Sequence, residues 1–329
     1  MEIGGVFNLR ATMFTHDLPF DPTYGHDLPR LLSVDAPKGP GDFADFWQRM
    51  YAKTLDVSPK SSKKQLPGER EGRVTFEIEF DSLDGFRVGG WLTLPADGDI
   101  RRGLVAGHGY GGRNEPDYGH PYRHTAALWV CGRGFDRSAR ADLPSQGAFH
   151  VLHGIESRDT YLHGKCIADF WAGTSALREL VPGDYPIDYA GSSFGGGLGA
   201  MALPWEKRFS RAFLDVPSFG NHPLRLTMQC NGSGEAVRRY HERHPEVVDV
   251  LQYFDSATAS TYNRHVETLV AAALFDPAVP PPGQFTVYNA IAAKKKLFVR
   301  EAGHFGYPNE AKQHEEMHAW IEKWFEKGE

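Results

Sequence analysis

From about residue 102 onward the chain repeats one unit, a short apolar run closed by Gly, Pro or Asp, with helical stretches between several of the runs. The runs are "RGLVAGHG" (102–109), "ALWVCG" (127–132), "PIDYAGSS" (186–193), "RAFLDVP" (211–217), "TLVAAALFD" (268–276) and "KKLFVRE" (295–301). Runs this short, and apolar over nearly their whole length, suit strands buried on both faces, as in a parallel sheet. Upstream the period changes. Val74, Phe76, Ile78 and Phe80 alternate with polar residues, and Asp84-Gly85 marks a hairpin turn before "FRVGGWLTLP". Antiparallel strands leading into buried strands that alternate with helices predict an α/β fold with a mostly parallel central sheet and flanking helices.

Helices are expected in "DTYLHGKCIADFWAGTSALREL", in "AKQHEEMHAWIEKWFEKG", and in "GPGDFADFWQRMYAKTLD". In the last of these Phe43, Phe46, Trp47, Met50, Tyr51 and Leu55 should form one aromatic face on the body of the protein. The first forty residues, with "HDLP" at 16–19 and again at 26–29, read as an arm or loop, and "SPKSSKKQLPGEREG" as a polar loop. No linker divides the chain. The expectation is one domain over 1–329, with an N-terminal arm and helix over about 1–60. The polar, His- and Arg-rich stretch of about 218–266 reads as a helical insertion over the site.

Composition narrows the function classes. A net charge of −6 leaves no electrostatic footprint for nucleic acid. Cys131, Cys166 and Cys230 are odd in number and form no CxxC pair, so reduced core thiols are expected. No apolar run is long enough for a membrane span, and "MEIGGVFNLRATMF" lacks the pattern of a secretory leader; the expected location is the cytoplasm.

The chemistry centres on "DYAGSSFGGGLGAMAL" (188–203). Gly191-Ser192-Ser193-Phe194-Gly195 fits G-x-S-x-G only with Ser193 in the centre, since the frame on Ser192 loses both glycines. A strand running straight into a helix through this motif presents the serine on a sharp, strained turn, and the amide of Phe194 becomes an oxyanion donor at the helix N-terminus. Side chains at 191 and 195 would collide there. The motif alone is weak, arising by chance in roughly one chain in ten of this length. A nucleotide-binding loop is the rival, disfavoured because no Walker lysine or GxGxxG accompanies the glycines.

The order of partners strengthens it. Asp276 leaves one apolar run and His304 follows the last, so Ser, Asp and His occur in the chain order and at the strand ends that this architecture uses. A serine hydroxyl needs a base, imidazole supplies one near neutral pH, and a carboxylate fixes its tautomer. The rival acid is Asp215 in "FLDVPSF". The second oxyanion amide should come from "HGYGGRN", at Tyr110, with His108 a structural hydrogen-bonder. The pairs His120/His124, His150/His153 and His241/His244 lack an HExxH carboxylate and are expected to face solvent rather than bind a metal.

These stretches together resemble the acetyl xylan esterase and cephalosporin C deacetylase family of α/β-hydrolases. "DFADFWQRMYAKTL" is similar to its N-terminal helix, "GHGYGG" to its oxyanion loop, "GSSFGGGLG" to its nucleophile turn, "DVPSF" to the strand after it, "YFDSATAS" to its YFD segment, "FDPAVPPPGQFTVYNAI" to its acid loop and "GHFGY" to its histidine loop. The resemblance implies an α/β-hydrolase fold, a triad on Ser193, Asp276 and His304, oxyanion amides on Tyr110 and Phe194, and Pro217 beside a small acyl pocket. It also implies a homo-oligomer, often a hexamer in the family. Three positions depart from the pattern: Phe135 replaces Gln in Arg-Gly-Gln, Phe194 replaces Gln in the nucleophile turn, and Phe305 replaces Glu after the histidine. These changes are expected to add apolar surface near the mouth, with Phe135 and Phe305 in reach of substrate.

The expected activity is therefore a serine esterase that removes a short acyl group, acetyl above all, from a carbohydrate or similar small alcohol, without metal or cofactor. The alternatives are a hydrolase or acyltransferase for another ester, amide or thioester, and a catalytically silent scaffold used for binding.

Overall fold

The computed structural model describes residues 3–4 and 14–327. Residues 1–2, 5–13 and 328–329, which include most of the stretch read above as lacking a leader, lie outside the described residues. Ten strands form one twisted sheet: β1 (Ile3–Gly4), β2 (Ser62–Arg70), β3 (Arg73–Asp81), β4 (Arg87–Pro95), β5 (Arg102–Ala106), β6 (Thr125–Val130), β7 (Ile187–Ser192), β8 (Phe209–Asp215), β9 (Glu267–Phe275) and β10 (Lys295–Ala302). Their order across the sheet is β1-β10-β9-β8-β7-β5-β6-β4-β3-β2. The β2–β3, β3–β4 and β4–β6 pairs are antiparallel and all others parallel. All six expected apolar runs form strands, several ending a few residues earlier than the apolar pattern does. The parallel strands are buried almost throughout, β6 along its full length, which is why they read as continuous runs rather than alternations.

Two hairpin turns set the antiparallel register. Asp84 and Gly85 (φ 61° and 65°) join β3 to β4, as expected, and Glu71 and Gly72 (φ 51° and 67°) join β2 to β3. The second hairpin is a correction, because the polar loop expected at 58–72 contains β2. This strand pairs on one side only and is exposed along almost all its length. Lys63, Lys64, Glu69 and Arg70 leave no apolar period to read, and Pro67-Gly68 sits at the register shift between Gln65 and Glu69. Charges, a proline and an irregularity are what keep a sheet edge from pairing with another chain.

Helix Phe43–Leu55 buries Phe43, Phe46 and Trp47, and the Trp47 indole donates to the Tyr253 carbonyl at 3.0 Å. Its edge-on contact with Trp171 ties it to helix Leu162–Leu180, which covers one sheet face. Leu55, expected on the same face, is 45% exposed: the buried stripe ends a turn earlier. The other face is covered by helix Glu310–Lys327 through Met317, Ile321, Trp324 and Phe325. Between β8 and β9 the 218–266 stretch contains short helices His222–Arg225, Ser233–His241, Val248–Leu251 and Ser256–Ser260. The second "HDLP" is not plain loop, since Asp27 caps the four-residue helix Leu28–Leu31 by accepting from the Arg30 amide. The three cysteines are free and buried.

Candidate active site

Strand β7, near the centre of the sheet, runs directly into helix Phe194–Ala202, and Ser193 between them sits at φ 52°, ψ −110°. A non-glycine residue there is strained, and the surroundings fix it. The Ser193 amide donates to the Asp215 carbonyl (2.8 Å) and its carbonyl accepts from Gly197 and Ser218. The flanking glycines are steric necessities. A Cβ at Gly191 would lie 2.6 Å from the Gly195 backbone; one at Gly195 would lie 2.8 Å from the Gly107 carbonyl carbon and 2.9 Å from the His108 amide. The second collision is with the oxyanion loop rather than the strand.

The Ser193 hydroxyl lies 3.0 Å from His304 Nε2, and His304 Nδ1 lies 2.8 Å from Asp276 Oδ2. His304 follows β10 at φ 48° and keeps 30% of its side chain exposed, whereas Asp276, at the end of β9, is fully buried. Burial disfavours a charged imidazole, but the hydrogen bond and charge of Asp276 outweigh it and hold His304 above its ordinary value. The carboxylate is itself held on all sides: Oδ1 accepts from the Ala278 and Val279 amides (2.9 Å each) and Oδ2 accepts also from Gln284 Nε2 (2.9 Å). Gln284 is anchored by the Ala273 amide and the Val279 carbonyl. The Asp276 amide donates to Pro22 of the N-terminal arm at 3.2 Å. A Cβ on Gly303 would strike Asp276 Oδ2, so the residue before the histidine must be bare.

Asp215, the rival acid, is engaged elsewhere. It accepts from Ser192 Oγ (3.0 Å) and pairs with Arg300 (2.9 Å). The serine pair thus divides the work: Ser192 braces the turn through Asp215, and only Ser193 faces an imidazole.

Among the described residues, the amides of Tyr110 and Phe194 donate to no acceptor. The loop that carries Tyr110 is pinned from behind. His108 Nδ1–H donates to the Gly109 carbonyl (2.6 Å) while its Nε2 accepts from the Gly132 amide (2.8 Å), and burial pushes the imidazole down to about 4. These two bonds fix the neutral tautomer. Asp136 accepts from the Arg113 amide on the far side of the loop. Beside the loop a cleft of about 520 Å³ extends from Ser192 and Gly107 along Arg113, Asn114 and Tyr118.

The aromatic departures fall differently from expectation. Phe135 (4% exposed) and Phe194 (2%) turn inward rather than toward the mouth. The Phe194 ring stacks on Tyr110 at 4.2 Å, and Phe135 packs on His108 and His150. Phe305 is half-buried against Phe14 and Phe275, and Pro217 is buried beside Gly196. Two of the histidines expected in solvent are corrections as well. His150 is fully buried and bonded through Nε2 to the Arg133 carbonyl (2.9 Å), and His120 is 6% exposed with Nδ1 accepting from the Tyr122 amide. A backbone group bonds one nitrogen of each ring, while His120 Nε2 and His150 Nδ1 are buried with no partner among the described residues, something an i,i+4 spacing cannot reveal. Among the described residues no group of three His, Cys, Asp or Glu could hold a metal ion, and no helix is long and apolar enough to cross a membrane.

Unanticipated members of the site are Gln284, Gly303, the Ser192–Asp215–Arg300 chain, and Asp255. Asp255 accepts from the amides of His222, Ala257 and Thr258, which holds the segment after β8 against the turn. The only signal for Asp255 was its place in "YFD".

A central, mostly parallel sheet with a strained serine after its fifth strand in chain order from β3, and with acid and histidine loops after the last two strands, defines an α/β-hydrolase. The family model of acetyl xylan esterases matches residues 34–324, and the chain belongs to that family. Among solved structures it is similar to an acetyl xylan esterase from Paenibacillus sp. R4 (TM-score 0.75, 23% identity, 90% of this chain and 99% of that one). It is also similar to acetyl xylan esterase 1 from Thermoanaerobacterium sp. JW/SL YS485 (TM-score 0.73, 20% identity, 92% and 99%). A more distant likeness is to the Pyrococcus horikoshii acylaminoacyl peptidase (TM-score 0.59, 13% identity, 83% of this chain and 42% of that one). No curated protein sequence matches significantly.

Proposed function

We propose that the protein is a serine esterase that hydrolyses short acyl esters, acetyl first, of carbohydrate hydroxyls. The observation that carries this is the unbroken line from Ser193 Oγ through both nitrogens of His304 to Asp276, with the Tyr110 and Phe194 amides left without an acceptor among the described residues. Ser193 Oγ attacks the acyl carbonyl carbon as His304 Nε2 takes its proton. The Tyr110 and Phe194 amides receive the oxyanion. The C–O bond to the alcohol then breaks, and the leaving oxygen takes the proton from His304. Water repeats the sequence on the acyl-enzyme, releasing the carboxylic acid and restoring Ser193. Asp276 keeps Nδ1 protonated throughout, so that Nε2 is the basic nitrogen. Each step uses side chains and amides of this chain.

Pro217, buried beside the turn, fits the wall of a small acyl site, and Phe305 its rim; the cleft along Arg113 to Tyr118 suits the leaving alcohol. The family resemblance further supports a homo-oligomer of hexameric type, read directly by light scattering of the purified protein; a single catalytic domain and a cytoplasmic location are the readings of the sequence pattern that go with it. The activity is tested by initial rates on p-nitrophenyl esters from acetate to octanoate, for the wild type and Ser193→Ala, followed by acetylated sugars. Rates highest on acetate and lost in the variant support the reading; a long-chain preference, or activity that survives in Ser193→Ala, overturns it.

A further inference from the structure

Arg225, in the short helix after β8, is 6% exposed, yet among the described residues it forms no ion pair. Arginines equally buried near the site behave differently: Arg133 pairs with Asp169 at 2.9 Å and Arg300 with Asp215 at 2.9 Å. Among the described residues Arg225 Nε has no hydrogen-bond partner, and the guanidinium's single polar contact is Nη1 to His222 Nδ1 at 3.5 Å. His222 cannot neutralise it. Its Nε2–H donates to the Phe254 carbonyl, and burial, followed by the charge of Arg225, pushes the imidazole down to about 3. Glu235, on the adjoining helix, gives its oxygens to Arg238, Arg239 and the Cys230 amide. The surroundings make room for the group: a Cβ on Gly234 would lie 2.6 Å from Nη2.

A buried cation without a counter-charge loses hydration that the His222 contact and the Phe219 ring return only in part. Its position is next to the chemistry. The guanidinium lies over the Phe219 ring (5.5 Å), and that ring meets Phe194 of the nucleophile turn edge-on (6.1 Å). Its charge also reaches the Tyr110 hydroxyl. One aromatic ring therefore separates an unpaired guanidinium from the oxyanion turn.

We propose that Arg225 is the anion-recognising group of the substrate site, so that the preferred esters carry a carboxylate, in the acyl chain or in the alcohol. The proposal rests on the esterase reading above. A carboxylate entering the site would take the parallel N–H donors of the fork in a setting with little water, where a charged pair is stronger than on the surface. A plain acetyl ester of a neutral alcohol leaves this group idle.

The test compares kcat/KM by pH-stat for ethyl butyrate against monoethyl glutarate (acyl arm), and for an acetylated methyl glucoside against the acetylated methyl glucuronoside (alcohol arm). The expected result is a preference of roughly tenfold or more for the carboxylated member of one pair, and the pair that shows it identifies the source of the carboxylate. The preference should collapse toward unity in Arg225→Gln and survive in part in Arg225→Lys. Equal rates within both pairs for the wild type overturn the proposal, as does an Arg225→Gln variant that slows both members alike. Should Arg225→Gln fail to fold, the wild-type ratios and Arg225→Lys still decide. Should no ester turn over, the esterase reading fails separately, and thermal stabilisation by glutarate relative to butyrate still reports on the anion site: its presence supports the proposal and its absence refutes it.

Discussion

Mild acid should destabilise this protein, because several of its buried histidines are held neutral. His108 and His150 are pushed down to about 4 and His222 to about 3, each chiefly by burial, and His120 and His163 are also held well below their ordinary value. A histidine depressed in the folded state binds its proton only on unfolding, so stability falls as pH drops through about 6.5 and levels off below the folded value. With an unfolded value near 6.5, each of the first three gives up about 2 kcal/mol between pH 8 and 5, or about 6 kcal/mol together. His304, Asp188 and Asp255 are raised and act with the opposite sign. Paired carboxylates such as Asp84 and Glu235 are lowered and yield only below about pH 4. The loss from the three histidines alone, about 6 kcal/mol before what His304, Asp188 and Asp255 return, is comparable with an ordinary stability of about 5–15 kcal/mol. Urea unfolding at pH 8, 7, 6 and 5 measures it. Replacing His150 by Gln, which can still donate to the Arg133 carbonyl, should remove up to one proton from the slope at pH 5. Stability that is flat or rising from pH 7 to 5 would refute the reasoning.

Asp276→Asn should lower kcat by about 10³–10⁴-fold and move the acidic inflection of kcat/KM downward from its wild-type position above 6.5, whereas Asp215→Asn should act mainly on stability by stranding Arg300; a pH–rate series with matched melting curves separates them. Gly303→Ala puts a methyl into Asp276 Oδ2 and should cut kcat by about 100-fold in a protein that still folds, read by steady-state kinetics alongside circular dichroism. Gln284→Leu removes one of the bonds to Asp276 Oδ2 and leaves the Ala273 amide unpaired; we expect about a tenfold loss in kcat and a lower Tm, and unchanged kinetics would deny Gln284 its positioning role.

The chain reads clearly where one residue type is forced by one geometry. Gly191, Ser193 and Gly195 are such positions, and so is the order of Asp276 and His304 at successive strand ends. It reads poorly where the determinant is a partner distant in sequence. Nothing in "KKQLPGER" announces a strand, because an edge strand exposed on both faces has no apolar period and is recruited by β3. His120 and His150 look solvated until Trp129 and Tyr110, from other elements, pack on their rings. Phe135 and Phe194 look like mouth residues until Tyr110 and the buried imidazoles draw their rings inward. Gln284, within the acid-loop stretch, and Arg225 are not singled out by any pattern, since what marks them is the group each does or does not touch.

The arm ahead of the first long helix has a consequence of its own. The carbonyl of Pro22 takes the Asp276 amide, and Tyr24 donates to the Gln229 carbonyl at 2.7 Å. The acid loop is thus closed by chain that lies before the 34–324 core shared with the family. A protein trimmed to that core would keep strands β2 to β10, the serine turn and the histidine, and would lose β1 and the clasp on the carboxylate. Limited proteolysis in the arm, followed by activity measurement, should show turnover falling while the core stays folded. On the proposed mechanism the leading segment would work as a latch on the acid of the triad.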